Sequence, residues 1–383
     1  MKIAVLYCGR IDDGVGNHVF NTSKYLEKLG YQIHIFWREL VNTQNIKSFM
    51  LKTSLLPHIN RYQFEFYTIG KLKRLEEYDI VSFQGSGLIF GLYKKITKLK
   101  VPLVVTSHGA IPYSEYLRVF PSPPTLRRKF VRYFLWPTST LVLKYSMKLA
   151  DTVFSVSSNN ANEIERMGIP EDKITVIYNG VDISKFKKIK EQHLVEFKKK
   201  LGIENDLVVL FFGRLHSQKG LLYLIKAIPH ILKEIKAKFV FVGKGPQEII
   251  AKQIANKLGI SDHLLFEGFI PESLKPYYFS ICDVFAFPSI YEGFPIVPME
   301  AAAFGKPIVA FDIPPVVEFI KDGKNGLLTQ TGDYKALATN ISYLLKNSKQ
   351  AQRLGKNNKN LVETEFTWEA VARRMDNAFR RLI

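Results

Sequence analysis

The chain has 383 residues, 46% of them apolar and 23% charged, the mix of a globular protein with room for about two or three domains. That excludes disorder, a collagen-like repeat and a small disulfide-stapled scaffold. No uncharged stretch exceeds 14 residues, short of the about 20 that a spanning helix needs. Fifty-four Lys and Arg against 35 Asp and Glu give a net charge of +19, which suits nucleic acid, an anionic lipid surface or a phosphorylated substrate.

In chain order, apolar runs alternate with runs of helical period. The spacing predicts strands at residues 2–7, 32–37, 80–83, 102–107, 152–156 and 174–177, and a second series at 207–212, 238–242, 264–267, 284–287 and 307–311. The opening Met1–Cys8 is too short for a signal-peptide core and reads as a first buried strand. A helix is expected over 17–29, ended by Gly30. Another follows Gly220, with Leu221, Leu222, Leu224, Ile225, Ile228, Ile231, Leu232 and Ile235 on one face. Fully apolar strands separated by helices mean parallel sheets covered on both faces. The series breaks after Asn179-Gly180-Val181-Asp182. Two doubly wound domains, 1–183 and 184–365, are expected, with 366–383 as a final amphipathic helix. Cys8 and Cys282 form neither a CxxC pair nor a disulfide framework, so a reducing cytoplasm is the simplest compartment.

The positive charge is local. Between Gly91 and Lys148 there are eleven basic residues and one acid, Glu115, whereas residues 1–90 carry eleven bases against eight acids. From Arg118 to Lys148 the bases Arg127, Arg128, Lys129, Arg132, Lys144 and Lys148 are interleaved with Phe120, Phe130, Tyr133, Phe134, Leu135, Trp136 and Tyr145. Bases beside aromatics fit a surface that lies on an anionic bilayer. The alternative is a set of core aromatics with solvated bases.

The strongest chemical signal is Ser289-Ile290-Tyr291-Glu292-Gly293-Phe294-Pro295 with Glu300, directly after the strand expected at 284–287. Pro295 suits the first helical position and Gly305 the end of that helix. Glu292 then lies at the carboxyl end of a parallel strand, where open α/β sheets bind ligands, and Glu300 about 7.5 Å along the helix. Two carboxylates there suit the hydroxyls of a polyhydroxylated ligand; the bland alternative is a dipole-compensating Glu292 and a solvated Glu300.

Gly213-Arg214-Leu215-His216-Ser217-Gln218-Lys219-Gly220 also follows a strand and opens a helix. An Arg fork with a Lys point charge holds a diphosphate and neutralises a departing one; two solvated bases are the alternative. Val242-Gly243-Lys244-Gly245-Pro246 is a third such turn, lacking a full dinucleotide fingerprint because Glu248 stands at the third glycine position. In the first half, Asp13-Gly14-Val15-Gly16-Asn17-His18 suits a phosphate or a sugar ring at a helix start, or an ordinary tight turn. Thr106-Ser107-His108-Gly109 ends a strand, and His108 and His18 each fit either a substrate contact or a structural role. Adjacent Asp12-Asp13 is not an Asp-x-Asp pair, and no His/Cys cluster has ligand spacing, so neither a metal nor another cofactor is expected.

As a set and in this order, these residues resemble the retaining glycosyltransferases of family four. The resemblance rests on Glu292 and Glu300 as the Glu-x7-Glu motif, Gly213-Arg214-Leu215 with Lys219-Gly220, and Gly243-Lys244-Gly245-Pro246. Asn179-Gly180-Val181-Asp182 and Phe366-Thr367-Trp368-Glu369 add to it. It implies an α/β chain of GT-B architecture, two facing Rossmann-like domains with the C-terminal helix crossing back to the first.

It also implies roles. Arg214 and Lys219 would bind the donor diphosphate, with the Gly243 turn beside them, and Glu300 the ribose. Glu292 and the backbone of Gly293, Phe294 and Pro295 would hold the transferred sugar, and His108 would lie beside it. Gly14 and Gly16 would approach the phosphates and the acceptor, with Val15, Asn17 and His18 on the acceptor side. The chain departs from the family pattern at Asp13-Gly14, where paired glycines are frequent, and at Pro314-Pro315, where a Gly-Gly pair is usual before the acid here numbered Glu318.

The expectation is therefore a metal-independent transferase that moves a sugar from a nucleotide sugar to a glycan or lipid-linked acceptor. It would work in the cytoplasm, peripheral to the inner face of a membrane reached through Arg118–Lys148. A soluble sugar or sugar-phosphate acceptor is the alternative within enzymes. A basic nucleic-acid- or lipid-binding protein on an inert transferase fold is the alternative outside them; no nucleic-acid partner is expected while Glu292, Glu300, Arg214 and Lys219 are all present.

Overall fold

The computed structural model describes residues 1–9, 14–37, 46–50, 77–109, 136–186 and 189–383. They form two compact units: Met1–Gly180 joined by Trp368–Ile383, and Val181–Thr367.

The first unit is built on a parallel seven-stranded sheet. Its strands are β1 (Lys2–Leu6), β2 (Gln32–Trp37), β3 (Lys47–Met50), β4 (Ile80–Gln84), β5 (Leu103–Ser107), β6 (Thr152–Ser155) and β7 (Ile174–Val176). Their order is β3-β2-β1-β4-β5-β6-β7, with Ile3 opposite both Ile33 and Ile80. Side chains alternate across a strand, and β1 shows why its run is wholly apolar. Ile3 and Val5 enter the core on one face, Ala4 and Leu6 the core on the other.

The helices Gly14–Lys28 and Trp368–Arg380 share the first face. Trp368, Val371, Ala372, Met375 and Phe379 bury there at i, i+3, i+4, i+7 and i+11, the stripe of an amphipathic helix. Tyr31 donates a hydrogen bond to Asp376 of the last helix. The helices Leu88–Thr97 and Trp136–Leu149 cover the second face, meeting where Gly91 leaves room for Leu149.

The second unit carries β8 (Leu207–Phe212), β9 (Ala237–Val242), β10 (Leu264–Gly268), β11 (Val284–Phe287), β12 (Ile308–Phe311) and β13 (Leu327–Thr329), all parallel, in the order β10-β9-β8-β11-β12-β13. Within it Val181 pairs with Thr367, and its N–H donates to the Phe366 carbonyl at 2.8 Å. Each sheet reverses its strand order once, between β1 and β4 and between β8 and β11. Such reversals open a crevice at the carboxyl ends.

Strands β3 and β13 were not predicted. Both are edge strands, and Lys47-Ser48-Phe49-Met50 and Leu327-Leu328-Thr329 are too short or too polar to read as apolar runs. The helix expected to open at Pro295 runs Ile296–Ala303, with Pro295 as its N-cap. Gly305 follows it at φ +67°. No helix among the described residues is long and apolar enough to cross a membrane.

Candidate active site

At the carboxyl end of β8 the backbone turns through Gly213, at φ +152°, and Arg214 is exposed. Among the described residues no ion-pair partner of Arg214 is found. Leu215 is buried and its N–H donates to the Lys244 carbonyl at 3.0 Å. This draws the turn after β9 against the turn after β8. Two glycines permit the approach: a Cβ on Gly243 would lie 1.9 Å from the Gly213 carbonyl oxygen, and one on Gly245 would lie 2.3 Å from that of Leu215. They serve close backbone packing, which explains a glycine-rich turn without a full fingerprint.

A one-turn 3-10 helix, Ser217–Lys219, follows and ends at Gly220, φ +67°. A Cβ on Gly220 would meet the Pro288 carbonyl oxygen at 1.7 Å, so the β8 loop lies directly against the β11 loop. Further bonds fasten the two. The Ile290 N–H donates to the Gln218 carbonyl at 2.9 Å, and Gln218 Nε2 to the Tyr291 carbonyl at 2.9 Å.

This seam lies at the strand-order reversal, and Glu292 is buried in it, 7% exposed. Its Oε1 accepts from Ser289 Oγ and from Lys219 Nζ, each at 2.5 Å. Lys219 also stands 5.7 Å from the centroid of the Phe287 ring. Phe294 is buried as well. Glu300, expected either at a ligand or in solvent, is buried to 7% exposure and receives Lys275 Nζ at 3.1 Å. Burial pushes its carboxyl above the usual carboxylate range, against the pull of the Lys275 charge. Solvation is thus excluded for both glutamates.

The sequence reading missed Lys275, and it quoted Ser289 and Gln218 without giving them roles. Ser289 and Gln218 lie inside motifs already singled out. Lys275 lies 25 residues before Glu300 and outside any motif; only the crossover from β10, at the sheet edge, to β11 brings it there.

In the first unit, residues 10–13, with Asp12 and Asp13, fall outside the described set. Gly14 is exposed at the start of its helix, Val15 and Asn17 are half-buried, and Gly16 is buried. His18, expected either on the acceptor side or in a structural role, is enclosed. It is 1% exposed, its Nδ1 lies 2.8 Å from Asn179 Oδ1, and its ring is edge-on to Trp368 at 5.5 Å. Burial holds its pKa down at about 4, against the Asn179 hydrogen bond. Its imidazole is therefore neutral near pH 7.

His108, half-buried at the end of β5, stands with its ring 4.8 Å from that of His18 and its Nε2 2.8 Å from Gln84 Oε1. Burial, then the nearby His18, push its pKa well below the ordinary value, so it too is neutral near pH 7. Among the described residues no group of three His, Cys, Asp or Glu is arranged to hold a metal ion.

Residues 13–185 match the family described as Glycosyltransferase Family 4, and residues 195–361 match Glycosyl transferases group 1. The two matched regions lie in tandem along the chain. It is 32% identical over 232 residues to an uncharacterized glycosyltransferase of Methanocaldococcus jannaschii, covering 60% of this chain and 59% of that relative. It is 33% identical over 219 residues, 56% of each chain, to an N,N'-diacetylbacillosaminyl-diphospho-undecaprenol alpha-1,3-N-acetylgalactosaminyltransferase of Campylobacter jejuni. The chain thus spans less than two thirds of the length of these two relatives. Among solved structures, the HepE protein of Anabaena in complex with UDP superposes with a TM-score of 0.79 over 100% of both chains at 20% identity. The fold of this tandem pair is that of the GT-B glycosyltransferases.

Proposed function

We propose that the chain is a retaining, metal-independent glycosyltransferase that moves a sugar from a nucleoside-diphosphate donor to an acceptor hydroxyl. The observation that carries this is the pair of buried carboxylates, Glu292 and Glu300, each held by a lysine, Lys219 from the loop after β8 and Lys275 from the crossover before β11, with exposed Arg214, for which no ion-pair partner is found among the described residues, in the same loop as Lys219. The roles follow from chemistry. Arg214 and Lys219 take the diphosphate, with the Gly243 turn behind it. Glu300 accepts the ribose hydroxyls. Glu292 and the backbone of Gly293, Phe294 and Pro295 take the hydroxyls of the transferred sugar, to which His108 is also assigned as a neutral imidazole. Gly14, Val15, Gly16 and Asn17 serve the acceptor side.

In the reaction, the bond from the anomeric carbon to the diphosphate oxygen breaks and one to the acceptor oxygen forms on the same face. The acceptor proton passes to the departing phosphate. Charge accumulates on the diphosphate, and fixed cations aimed at developing charge give the largest catalytic contribution.

A lipid-linked or glycan acceptor is favoured by the Campylobacter relative, whose name is that of an enzyme acting on a diphospho-undecaprenol-linked sugar. The test is a panel of UDP-, GDP- and ADP-sugars scored for turnover in EDTA. One donor should be consumed with full activity and with the anomeric configuration kept in the product. Loss on chelation, restored by Mg²⁺ or Mn²⁺, contradicts metal independence, and an inverted product contradicts retention. Tight binding of oligonucleotides without consumption of any donor favours the inert-fold alternative.

A further inference from the structure

Lys275 has no place in the roles above, yet it is one of the most enclosed charges of the second unit. It opens the helix Lys275–Ile281, in the crossover from β10 to β11. Its Nζ donates to Glu300 Oε1 at 3.1 Å and Oε2 at 3.4 Å and pairs with Glu272 Oε1 at 2.8 Å. It also lies 5.4 Å from the centroid of Phe212, the last residue of β8. The Lys275 side chain is 16% exposed and that of Glu300 9%, whereas Glu272 is 66% exposed. Glu272 therefore meets the ammonium from the solvent side and Glu300 from within. A surface lysine with an i,i+3 partner gains little and stays in water; this one is turned inward onto a carboxylate.

Among the described residues three charged groups face Glu300. Lys275 comes from the crossover helix, Glu272 from the one-turn Glu272–Leu274 segment before it, and Lys185 from the segment Ile183–Lys185. Burial is the largest influence and pushes the carboxyl up. Lys275 pulls it down by charge and by hydrogen bond, Glu272 pushes it up, and Lys185 pulls it down. For Lys275, burial pushes the ammonium down, but Glu300 and Glu272 outweigh it and the net direction is up. Each partner thus opposes the other's desolvation, and for Glu300 burial still outweighs Lys275.

We propose that Lys275 is a positioning residue for the nucleotide: it fixes the orientation of the Glu300 carboxylate and keeps it anionic, ready to accept hydrogen bonds from the vicinal hydroxyls of the ribose. This rests on the proposed nucleotide-sugar site. A carboxylate anion has acceptor sites for two hydroxyl donors, whereas a protonated carboxyl turns one oxygen into a donor. Two bonds from one ammonium to both oxygens also fix the carboxylate plane. With Lys275 replaced by Met, Lys185 alone among the described residues remains to oppose burial, and the Glu300 pKa rises further. Ribose binding then falls as pH falls through that value and returns as pH rises above it.

Isothermal titration of UDP, GDP and ADP between about pH 6 and pH 9 tests this, on either side of the neutral range. Wild-type affinity should be flat. Lys275→Met should bind about tenfold more weakly at the acid end and recover at the alkaline end, and Lys275→Arg should keep the wild-type profile. If Lys275→Met folds poorly, the Glu300→Gln background answers the same question, since the double variant buries no unpaired charge. Adding Lys275→Met to Glu300→Gln should leave affinity within about twofold and flat with pH. A further loss of more than about threefold there means that Lys275 acts by another route and overturns the inference. So does a Lys275→Met profile parallel to wild type while Arg214→Ala still weakens binding. If wild type binds none of the three nucleotides, the site reading itself fails and the inference falls with it.

Discussion

At the scale of single residues, Lys219 and Glu292 form one contact yet have separate proposed tasks. In the free chain the Lys219 ammonium is already neutralised by Glu292 at 2.5 Å. In the proposed complex a donor diphosphate would compete with that carboxylate for the lysine, and its binding would free Glu292 for the sugar. Glu292→Gln removes the competitor and the sugar contact together. Turnover should fall by about 100-fold, the usual cost of one lost transition-state contact, while diphosphate affinity by titration holds or rises. Activity within a few-fold of wild type would rule out the sugar role. Arg214 has no such partner among the described residues, so nothing offsets its loss. Arg214→Ala should weaken the free diphosphate by about tenfold or more, as expected for a charge-assisted bond. Unchanged affinity would remove Arg214 from the clamp.

At the scale of elements, the last helix is held by side chains that act on the far end of the chain. Phe379 is 1% exposed in the core beneath β1 and β2. Phe379→Ala should lower the stability of the first unit by about 3–5 kcal/mol, read from its own denaturant transition; a loss below about 1 kcal/mol contradicts that packing. His18 gives the same region a pH dependence. Its folded pKa of about 4 lies below the ordinary 6.5, so the unfolded chain binds its proton first. Stability is full above pH 6.5 and drains as pH falls towards 4, by about 3 kcal/mol. His18→Gln should flatten that slope in acid titrations of folding; an unchanged slope places its origin elsewhere. These elements mark how far sequence alone reaches. Central strands such as Leu207–Phe212 were legible to the residue because burial on both faces demands an unbroken apolar run. Edge strands β3 and β13 lack that demand and were missed. Glu292, Glu300, Arg214 and Lys219 were legible through their motifs. Lys275 was not, because its partner is set by sheet order, and the enclosure of His18 was not, because Trp368, Asn179 and His108 reach it from distant segments.

At the scale of the whole molecule, the question is where the net charge of +19 is directed. Arg118, Arg127, Arg128, Lys129 and Arg132, with Phe120, Phe130, Tyr133, Phe134 and Leu135, lie outside the described residues. The described part of that stretch, the helix Trp136–Leu149, exposes Leu141 and Tyr145, each 54%, along with Lys148. The helix Leu88–Thr97 packed against it exposes Leu92 at 45% and Ile96 at 80%, beside exposed Lys95 and Lys98. Neither helix contains an acid. Apolar side chains turned outward among lysines suit an anionic bilayer, each base contributing about 1 kcal/mol near the surface and less as salt rises. The expected outcome is reversible sedimentation with anionic vesicles at low salt and none with neutral ones. Ile96→Asp should weaken it through the apolar contact, and Lys95→Glu with Lys98→Glu and Lys148→Glu through charge. Charge reversal at Arg127, Arg128, Lys129 and Arg132 tests the remainder of the stretch. Equal, negligible pelleting with both vesicle types would instead favour a soluble sugar or sugar-phosphate acceptor, since an enzyme drawing on a lipid-linked substrate gains from a surface that holds it at the bilayer.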